Sequence, residues 1–154
     1  MDLLAVIAHS VIKEQMYTLS EYYSTLYYLY TMSEEGLEKF IDMAKKLKLT
    51  NAVRAHTSLT YYLHKLVHGI TPSPLLKIIS VFGLNDFEIG RIVKSEVNMP
   101  HKFHPITLMF SFEEKLHELK MRRSVAEQFR SMFSLDFTMK FIPKFIKHAV
   151  RESY

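Results

Sequence analysis

The chain has 154 residues, with Lys+Arg 20 and Asp+Glu 16, which gives a formal net charge of +4. Hydrophobic residues make up 48%, and glycine and proline number only 4 and 5, so the composition excludes a disordered chain and disfavours sandwich, barrel and glycine-rich nucleotide folds. The absence of cysteine excludes a disulfide scaffold, Cys-zinc sites and thiol catalysis. The length fits one domain, with or without helical extensions.

The first segment, residues 4–30, is predicted to form one long helix with a break near residues 18–20. Apolar residues recur there at helical spacing in two rows, and the segment contains neither glycine nor proline. Its tyrosines have faces that could stack nucleobases, but we interpret them as core or subunit interface, where each hydroxyl can reach the rim. These tyrosines are Tyr22, Tyr23, Tyr27, Tyr28 and Tyr30. The apolar start reaches polar residues too early for a signal peptide or a membrane span, which favours an intracellular, cytoplasmic protein.

The elements after residue 30 are predicted to be helices with identifiable starts and stops. Thr31 and Glu34 have the spacing of a capping box, which opens the next helix. Gly69 is expected to end a later helix as a left-handed cap, and Gly83 to end the one after it. In chain order the predicted helices cover residues 34–47, 50–56, 59–68, 75–82 (with Ser73 as N-cap and Pro74 at the first helical position), 87–97 (capped by Asn85 or Asp86), 105–133 and 137–151 (interrupted or kinked at Pro143).

The distribution of charge is more informative than its total. Residues 43–85 contain no Asp or Glu but six Lys or Arg, so the whole net positive charge comes from this window. His56, His64 and His68 lie in the same window, and a nearby polyanion would raise the pKa of each and add positive charge. The window suits contacts with phosphates. The alternative is a partly buried segment with few charges of any kind.

A second acid-free run, residues 137–151, has basic residues three or four apart beside Phe141, Phe145 and His148. This pattern predicts a basic amphipathic helix that could lie on a membrane surface, follow a DNA backbone or dock onto the core. We expect docking onto the core, because Pro143 and the shortness of the run argue against membrane contact.

Residues 37–93 contain short elements in a specific order. Residues 63–69 read LHKLVHG and residues 72–84 read PSPLLKIISVFGL. This pattern resembles the DNA-binding domain of the phage-repressor (Cro/CI-like) helix-turn-helix family, in which a recognition helix ends at glycine and a Pro-Ser turn leads to an amphipathic helix. The family usually carries a glycine between the paired helices, where this chain has Thr57-Ser58. The resemblance implies that helix 59–68 reads base edges in the major groove of double-stranded DNA.

The same interpretation assigns a surface for DNA contact. Leu59, Leu63 and Leu66 would face the core, and the opposite face of helix 59–68 would carry donors and acceptors for bases and phosphates. The first turn of helix 50–56 would present its amides to a phosphate. The predicted DNA-binding residues are Lys45, Lys46, Lys48, Thr50, Asn51, Arg54, Thr60, Tyr61, His64, Lys65 and His68.

The sequence offers little chemistry for catalysis. His64 and His68 have metal-ligand spacing, but Lys65 stands where a metalloprotease helix carries Glu, and no nearby carboxylate supplies a third ligand. We therefore expect no metal and no other cofactor. The chain also lacks a glycine-rich phosphate loop and a Ser or Thr nucleophile signature. The chain is expected not to be an enzyme.

No run alternates over enough residues to predict a sheet, so the sequence predicts an all-α, multi-helix bundle that contains a helix-turn-helix module. Residues 1–31 would form a packing or dimerisation helix, 33–97 the DNA-binding domain, and 105–154 a C-terminal helical segment for packing or oligomerisation. The predicted function is that of a sequence-specific or architectural DNA-binding protein that acts as a transcriptional regulator. We expect it to work as a homodimer, because one short helix reads too few base pairs. The alternative is a non-enzymatic helical scaffold or assembly protein that binds other proteins within a larger complex.

Overall fold

The structure, a computed structural model, describes the backbone of residues 3–94 and 99–122 and the side chains of residues 3–94 and 99–114. Within these residues the chain is a helical bundle with one very short two-stranded sheet, which confirms the predicted all-α class. In chain order the elements are α1 (Leu3–Ala8), a π-helix (His9–Glu14), β1 (Met16–Tyr17), α2 (Leu19–Thr31), α3 (Glu34–Lys46), α4 (Thr50–His68), α5 (Ser73–Phe82), α6 (Asp86–Lys94), β2 (His101–Lys102) and α7 (Pro105–Arg122). None of the helices in these two ranges is both long and apolar enough to cross a membrane.

The long helix predicted at the N-terminus is interrupted. α1 passes into the π-helix, which ends at Gln15 in the left-handed conformation (φ 58°). Strand β1 follows and pairs antiparallel with β2. Thr18 then opens α2 with a capping box: its hydroxyl accepts from the amide of Glu21, and the Glu21 carboxylate accepts from the amide of Thr18. The break therefore lies at residues 15–18, slightly before the predicted residues 18–20, and the chain before it is not a single α-helix.

The helix α3 begins after Ser33, which is its N-cap. Its hydroxyl accepts from the amide of Gly36 at 3.1 Å. Thr31 belongs to the preceding helix, because its hydroxyl donates to the carbonyl of Tyr27 at 2.9 Å. The prediction of a capping box at Thr31 and Glu34 is wrong, because Thr31 is the last residue of α2 and Ser33 is the N-cap of α3.

The two short helices predicted over residues 50–56 and 59–68 are one continuous helix, α4. The hydroxyls of Thr57 and Ser58 each donate to the backbone carbonyl four residues earlier, at 2.7 Å and 2.6 Å. Residues that have the composition of a cap are thereby satisfied inside the helix, and no turn forms between the two halves. The prediction of a helix-turn-helix pair at this position is wrong.

Three later signals are confirmed. Gly69 (φ 72°) and Gly83 (φ 77°) end α4 and α5 with a positive φ, which glycine adopts without the steric cost of a Cβ. The side-chain oxygen of Asn85 accepts from the amide of Glu88 at 3.3 Å and so caps the start of α6.

The boundaries of the remaining helices agree with the sequence less closely. α5 begins at Ser73 with Pro72 as its N-cap, one residue earlier than predicted. The described part of α6 ends at Lys94, and that of α7 at Arg122. The rest of the predicted helix 105–133 and the whole of the basic helix 137–151 lie outside the described residues.

α4 is the central element of the bundle. It packs against α1, the π-helix, α2, α3, α5, α6 and α7. Buried side chains form one cluster that runs from Leu3 in α1, through Leu59 in α4, to Leu108 in α7. The three segments delimited from the sequence therefore contribute to the same core.

Candidate functional site

The helix expected to read DNA faces inward over most of its length. Thr60 has no exposed surface, and His64 is only 6% exposed. The prediction that these two side chains face outward is wrong, because α4 is surrounded by other elements instead of lying at the edge of the bundle.

Four buried side chains from β1, α2 and α4 form a hydrogen-bonded group, which we name the neutral cluster. Its members are Tyr17, Thr25, His56 and Thr60. The single hydroxyl proton of Thr60 goes to the carbonyl of His56 at 3.1 Å, so the Tyr17 hydroxyl donates to Thr60 across 2.7 Å. The Thr25 proton goes to the carbonyl of Glu21 at 2.7 Å, so Nε2 of His56 donates to Thr25 across 2.8 Å. This bonding pattern assigns His56 to the Nε2–H tautomer.

Burial keeps the neutral cluster without charge. It lowers the pKa of His56 to about 3 and raises the pKa of Tyr17. Nδ1 of His56 has no hydrogen-bond partner, so a proton placed there would lack an acceptor. His56 therefore cannot supply the positive charge expected of it beside a polyanion.

His64 lies about two turns beyond His56 in α4 and contacts the N-terminal part of α2. Its Nδ1 is 2.9 Å from the hydroxyl of Tyr22, and its ring centre is 4.5 Å from that of His68. Burial and the neighbouring His68 lower the pKa of His64. No group of three His, Asp or Glu side chains able to hold a metal ion occurs in the part of the chain that the structure describes.

A carboxylate of the chain itself occupies the N-terminus of α4. Glu114 in α7 accepts from the amides of Thr50 and Asn51 at 3.1 Å and 2.8 Å. The predicted phosphate site at these two amides is therefore filled, since a carboxylate satisfies the donors and the positive helix end that a phosphate would use. One turn later, the guanidinium of Arg54 donates from Nε and Nη2 to the carbonyl of Leu84.

The exposed cations of the predicted site form two separate groups. Lys45, Lys46 and Lys48 are exposed at the end of α3 and in the turn that follows, before α4 begins. Lys65 and His68 are exposed in the last turn of α4. A helix of 19 residues is about 28 Å long at a rise of ~1.5 Å per residue, so the helix separates the two groups. The exposed cations therefore do not form one continuous cluster.

Tyr61 lies between the buried and the exposed residues of the predicted site in its degree of exposure. It is half-buried, and the ammonium of Lys65 lies 5.7 Å from its ring centre and 3.4 Å from its hydroxyl. This contact covers one side of the ring, and the pair remains at the surface beside His68.

A second buried polar group, which we name the carboxylate cluster, comprises Glu88, Arg91, His101 and Thr107. The Glu88 carboxylate has no exposed surface and lies 2.8 Å from Nε2 of His101 and 3.8 Å from Nη1 of Arg91. It also accepts from the amide of His104 at 2.6 Å. Burial alone would raise the pKa of Glu88, but hydrogen bonds from His101, Thr107 and the His104 amide lower it. This cluster could not be predicted from the sequence, because Glu88 in α6 and His101 in β2 are thirteen positions apart and meet only in the tertiary structure.

α2 has one buried and one exposed face. The buried positions are Tyr22, Thr25, Leu26 and Leu29. The exposed stripe, which we name the tyrosine face, consists of Leu19, Tyr23, Tyr27 and Tyr30, exposed by 54%, 66%, 67% and 64%. Their spacing of four, four and three residues places them on one side of the helix. The tyrosines were predicted to lie in the core or at an interface. Tyr22 lies in the core, and Tyr23, Tyr27 and Tyr30 are exposed, as an interface would require.

Comparison with protein-family models, with curated proteins and with solved structures finds no match for this chain.

Proposed function

We propose that this chain is a non-enzymatic helical assembly protein that binds a protein partner through the tyrosine face of α2. The observation that carries the proposal is the exposure of Tyr23, Tyr27 and Tyr30, each about two-thirds open to solvent along one helix. Aromatic side chains are enriched at protein interfaces, and tyrosine is among the residues that contribute most to binding energy. We place the protein in the cytoplasm, a location that suits this role and a chain without cysteine.

The partner that suits the tyrosine face best is a second copy of the chain. Glu21 is the only charged residue in α2, and its carboxylate is engaged in the capping box. Two copies of this face would therefore meet without like-charge repulsion. A two-fold interface needs a surface that complements itself, and tyrosine provides this because its hydroxyl both donates and accepts and its ring packs on other rings.

The exposed area is sufficient for the centre of such an interface. Three tyrosines that are two-thirds exposed offer on the order of 400 Å², which is roughly half of the ~800 Å² that each partner buries in a stable complex. The rest would come from residues beside α2. We therefore expect a dimer of moderate affinity.

Sedimentation velocity of the full chain tests the proposal. Wild-type protein is expected to sediment as a dimer at tens of micromolar, and the double variant Tyr23→Ser/Tyr27→Ser as a monomer, because the centre of the interface is lost. Val67→Thr, which changes a residue of equal exposure (69%) at the end of α4, is the matched control and should remain dimeric. A wild-type chain that stays monomeric, or a double variant that still forms dimers, would contradict the proposal.

A second candidate is binding to the backbone of double-stranded DNA, as an architectural or regulatory protein. Lys45, Lys46 and Lys48 form no ion pair with any described residue, whereas Lys39 and Lys77 are paired with Glu35 and Glu38. Three adjacent, unpaired lysines can neutralise phosphates, and a dimer would double their number. This version needs no recognition helix in the major groove.

Gel-shift titration with a random-sequence duplex tests this second candidate. Charge reversal at Lys45 and Lys48 should weaken binding and reduce the salt dependence of the affinity, by about one phosphate contact for each lysine removed. Lys39→Glu is the control, because that lysine lies outside the group. DNA binding that both variants retain equally would reject these lysines as the contact surface.

A further inference from the structure

A small cleft opens between the N-terminal part of α4, the start of α6 and the first turns of α7. Its volume is about 100 Å³, and it does not coincide with the tyrosine face, the neutral cluster or the three unpaired lysines. The residues that line it are Asn51, Arg54, Asn85, Asp86, Phe87, Thr107 and Phe110. Polar groups and aromatic rings thus share one concave surface, which is the usual composition of a binding site.

The cationic group in this cleft is Arg54, which has no carboxylate partner among the described residues. Arg54 is half-buried, and within the described part of the chain its side chain donates only to the carbonyl of Leu84, from Nε and Nη2. That carbonyl holds the guanidinium in place but does not neutralise its charge. No acidic side chain of the described residues lies within ion-pair distance of Arg54, although Asp86 lines the same cleft.

The other lining groups favour an anion with an apolar body. The side-chain amides of Asn51 and Asn85 each use one N–H in the described contacts, with the carbonyl of Phe110 and the hydroxyl of Thr107, so each retains a second N–H. The rings of Phe87 and Phe110 are 55% and 44% exposed, which is more than a packing role in the core requires.

We propose that this cleft binds a carboxylate group, with the free N–H groups of Arg54 as its main donors and the two phenyl rings packed against the attached carbon atoms. A planar guanidinium matches a carboxylate in shape and charge. The cleft is small and open to solvent, so it admits the carboxylate end of a ligand or of a side chain, together with the carbon atoms next to it. The carboxylate comes either from a small free acid or from an acidic residue of a bound protein.

Asp86 sets a limit on the affinity and also provides a sharp test. Its side chain is exposed in the first turn of α6, so water and salt screen its repulsion of an incoming anion. Removing this charge should strengthen carboxylate binding by about three-fold, while removing the charge of Arg54 should weaken it by more than about ten-fold. The two substitutions therefore act in opposite directions at one site.

Nitrogen-15 NMR titration of the full, unsubstituted chain measures this binding directly, through the side-chain amide signals of Asn51 and Asn85, which line the cleft. The probes are benzoate and acetate, with benzamide as the neutral control and sodium chloride for ionic strength. A short peptide with a single glutamate, and its glutamine counterpart, form the protein arm. We expect saturable binding of a carboxylate probe, no saturation with its neutral counterpart, tighter binding in Asp86→Asn and weaker binding in Arg54→Gln.

The source of the carboxylate follows from the arm that saturates, and either arm supports the site. Equal binding of benzoate and benzamide, or the absence of saturation in both arms, would overturn the proposal. Should Arg54→Gln fail to fold, as judged by circular dichroism, Asp86→Asn decides alone, and an unchanged affinity in that variant would also overturn it. The dimer proposed above is unaffected by either result, since the tyrosine face contributes no residue to the cleft.

Discussion

The protein buries polar side chains in two regions that differ in charge. The neutral cluster joins α4 to α2 and β1 through hydroxyl groups and the uncharged ring of His56. The carboxylate cluster joins α6 to β2 and to the start of α7 through Glu88, whose lowered pKa keeps it ionised. In both regions nearly every buried polar atom has a partner, but only the second region depends on a charge. The two regions should therefore respond differently to mutation and to pH.

The largest effect is expected for Glu88→Gln. Removing one partner of a buried charged pair typically costs about 3 kcal/mol of the free energy of unfolding, since His101 and Arg91 lose the charge that they surround. Urea denaturation at neutral pH measures this change. Glu38→Gln is the matched control, because Glu38 pairs with Lys77 at the surface and should change stability by less than about 0.5 kcal/mol. Equal stability of the two variants would show that the charge of Glu88 is not needed.

The second effect separates the two regions by pH. The folded pKa of His56, about 3, lies below its ordinary value of 6.5, so its contribution is fully present above pH 6.5 and is lost as the pH falls toward 3. The folded pKa of Glu88 is also lowered, from 4.5, so its contribution is present above pH 4.5 and is lost only below that value. Between pH 6.5 and 4.5 the neutral cluster therefore dominates the decrease in stability.

His56→Leu tests this assignment, because it removes the titrating group from a fully buried position. Wild-type stability is expected to fall by on the order of 1 kcal/mol for each pH unit between pH 6.5 and 4.5, and the variant should show a shallower slope. Some slope should remain, since the pKa of His64 is also lowered. Urea denaturation at several pH values gives both slopes, and parallel curves would contradict the role of His56.

Some of these features could be predicted from the sequence and others could not, for physical reasons. The helical class follows from periodicity, and the helix ends at Gly69, Gly83 and Asn85 follow from properties of single residues. Such signals are local. The hydroxyls of Thr57 and Ser58 show where local reading fails, because the same groups can cap a new helix or bond back to the carbonyls of the helix that they are in.

The candidate site was harder to predict than the fold. Whether Thr60 and His64 face water depends on what packs around α4, and the amphipathic pattern of one helix does not contain that information. The link from Glu114 to the amides of Thr50 and Asn51 spans more than sixty positions of the chain, so charge counting in a local window missed it. The sequence predicts core or interface for the tyrosines as a group, and the structure separates the buried Tyr22 from the exposed Tyr23, Tyr27 and Tyr30.

A smaller effect is expected for Tyr17→Phe. The variant removes the donor to Thr60, whose own proton still reaches the carbonyl of His56, so the cost is one buried hydrogen bond, or about 1 kcal/mol of the free energy of unfolding. Tyr62→Phe is the control, because the Tyr62 hydroxyl forms no hydrogen bond with any described residue and its side chain is half-buried. Denaturant unfolding of both variants tests whether the neutral cluster is held by this bond, and equal stabilities would mean that it is not.

The smallest effect is expected for Tyr22→Phe, at the edge of the neutral cluster. Like Tyr17, Tyr22 forms a hydrogen bond to α4, here with Nδ1 of His64 at 2.9 Å. His64 retains 6% of its surface, so water can approach the ring and replace the lost hydroxyl, whereas Thr60 is closed to water. The loss should therefore be about 0.5 kcal/mol, or half that of Tyr17→Phe. A cost equal to or larger than that of Tyr17→Phe would mean that closure to water does not set the strength of these two hydrogen bonds.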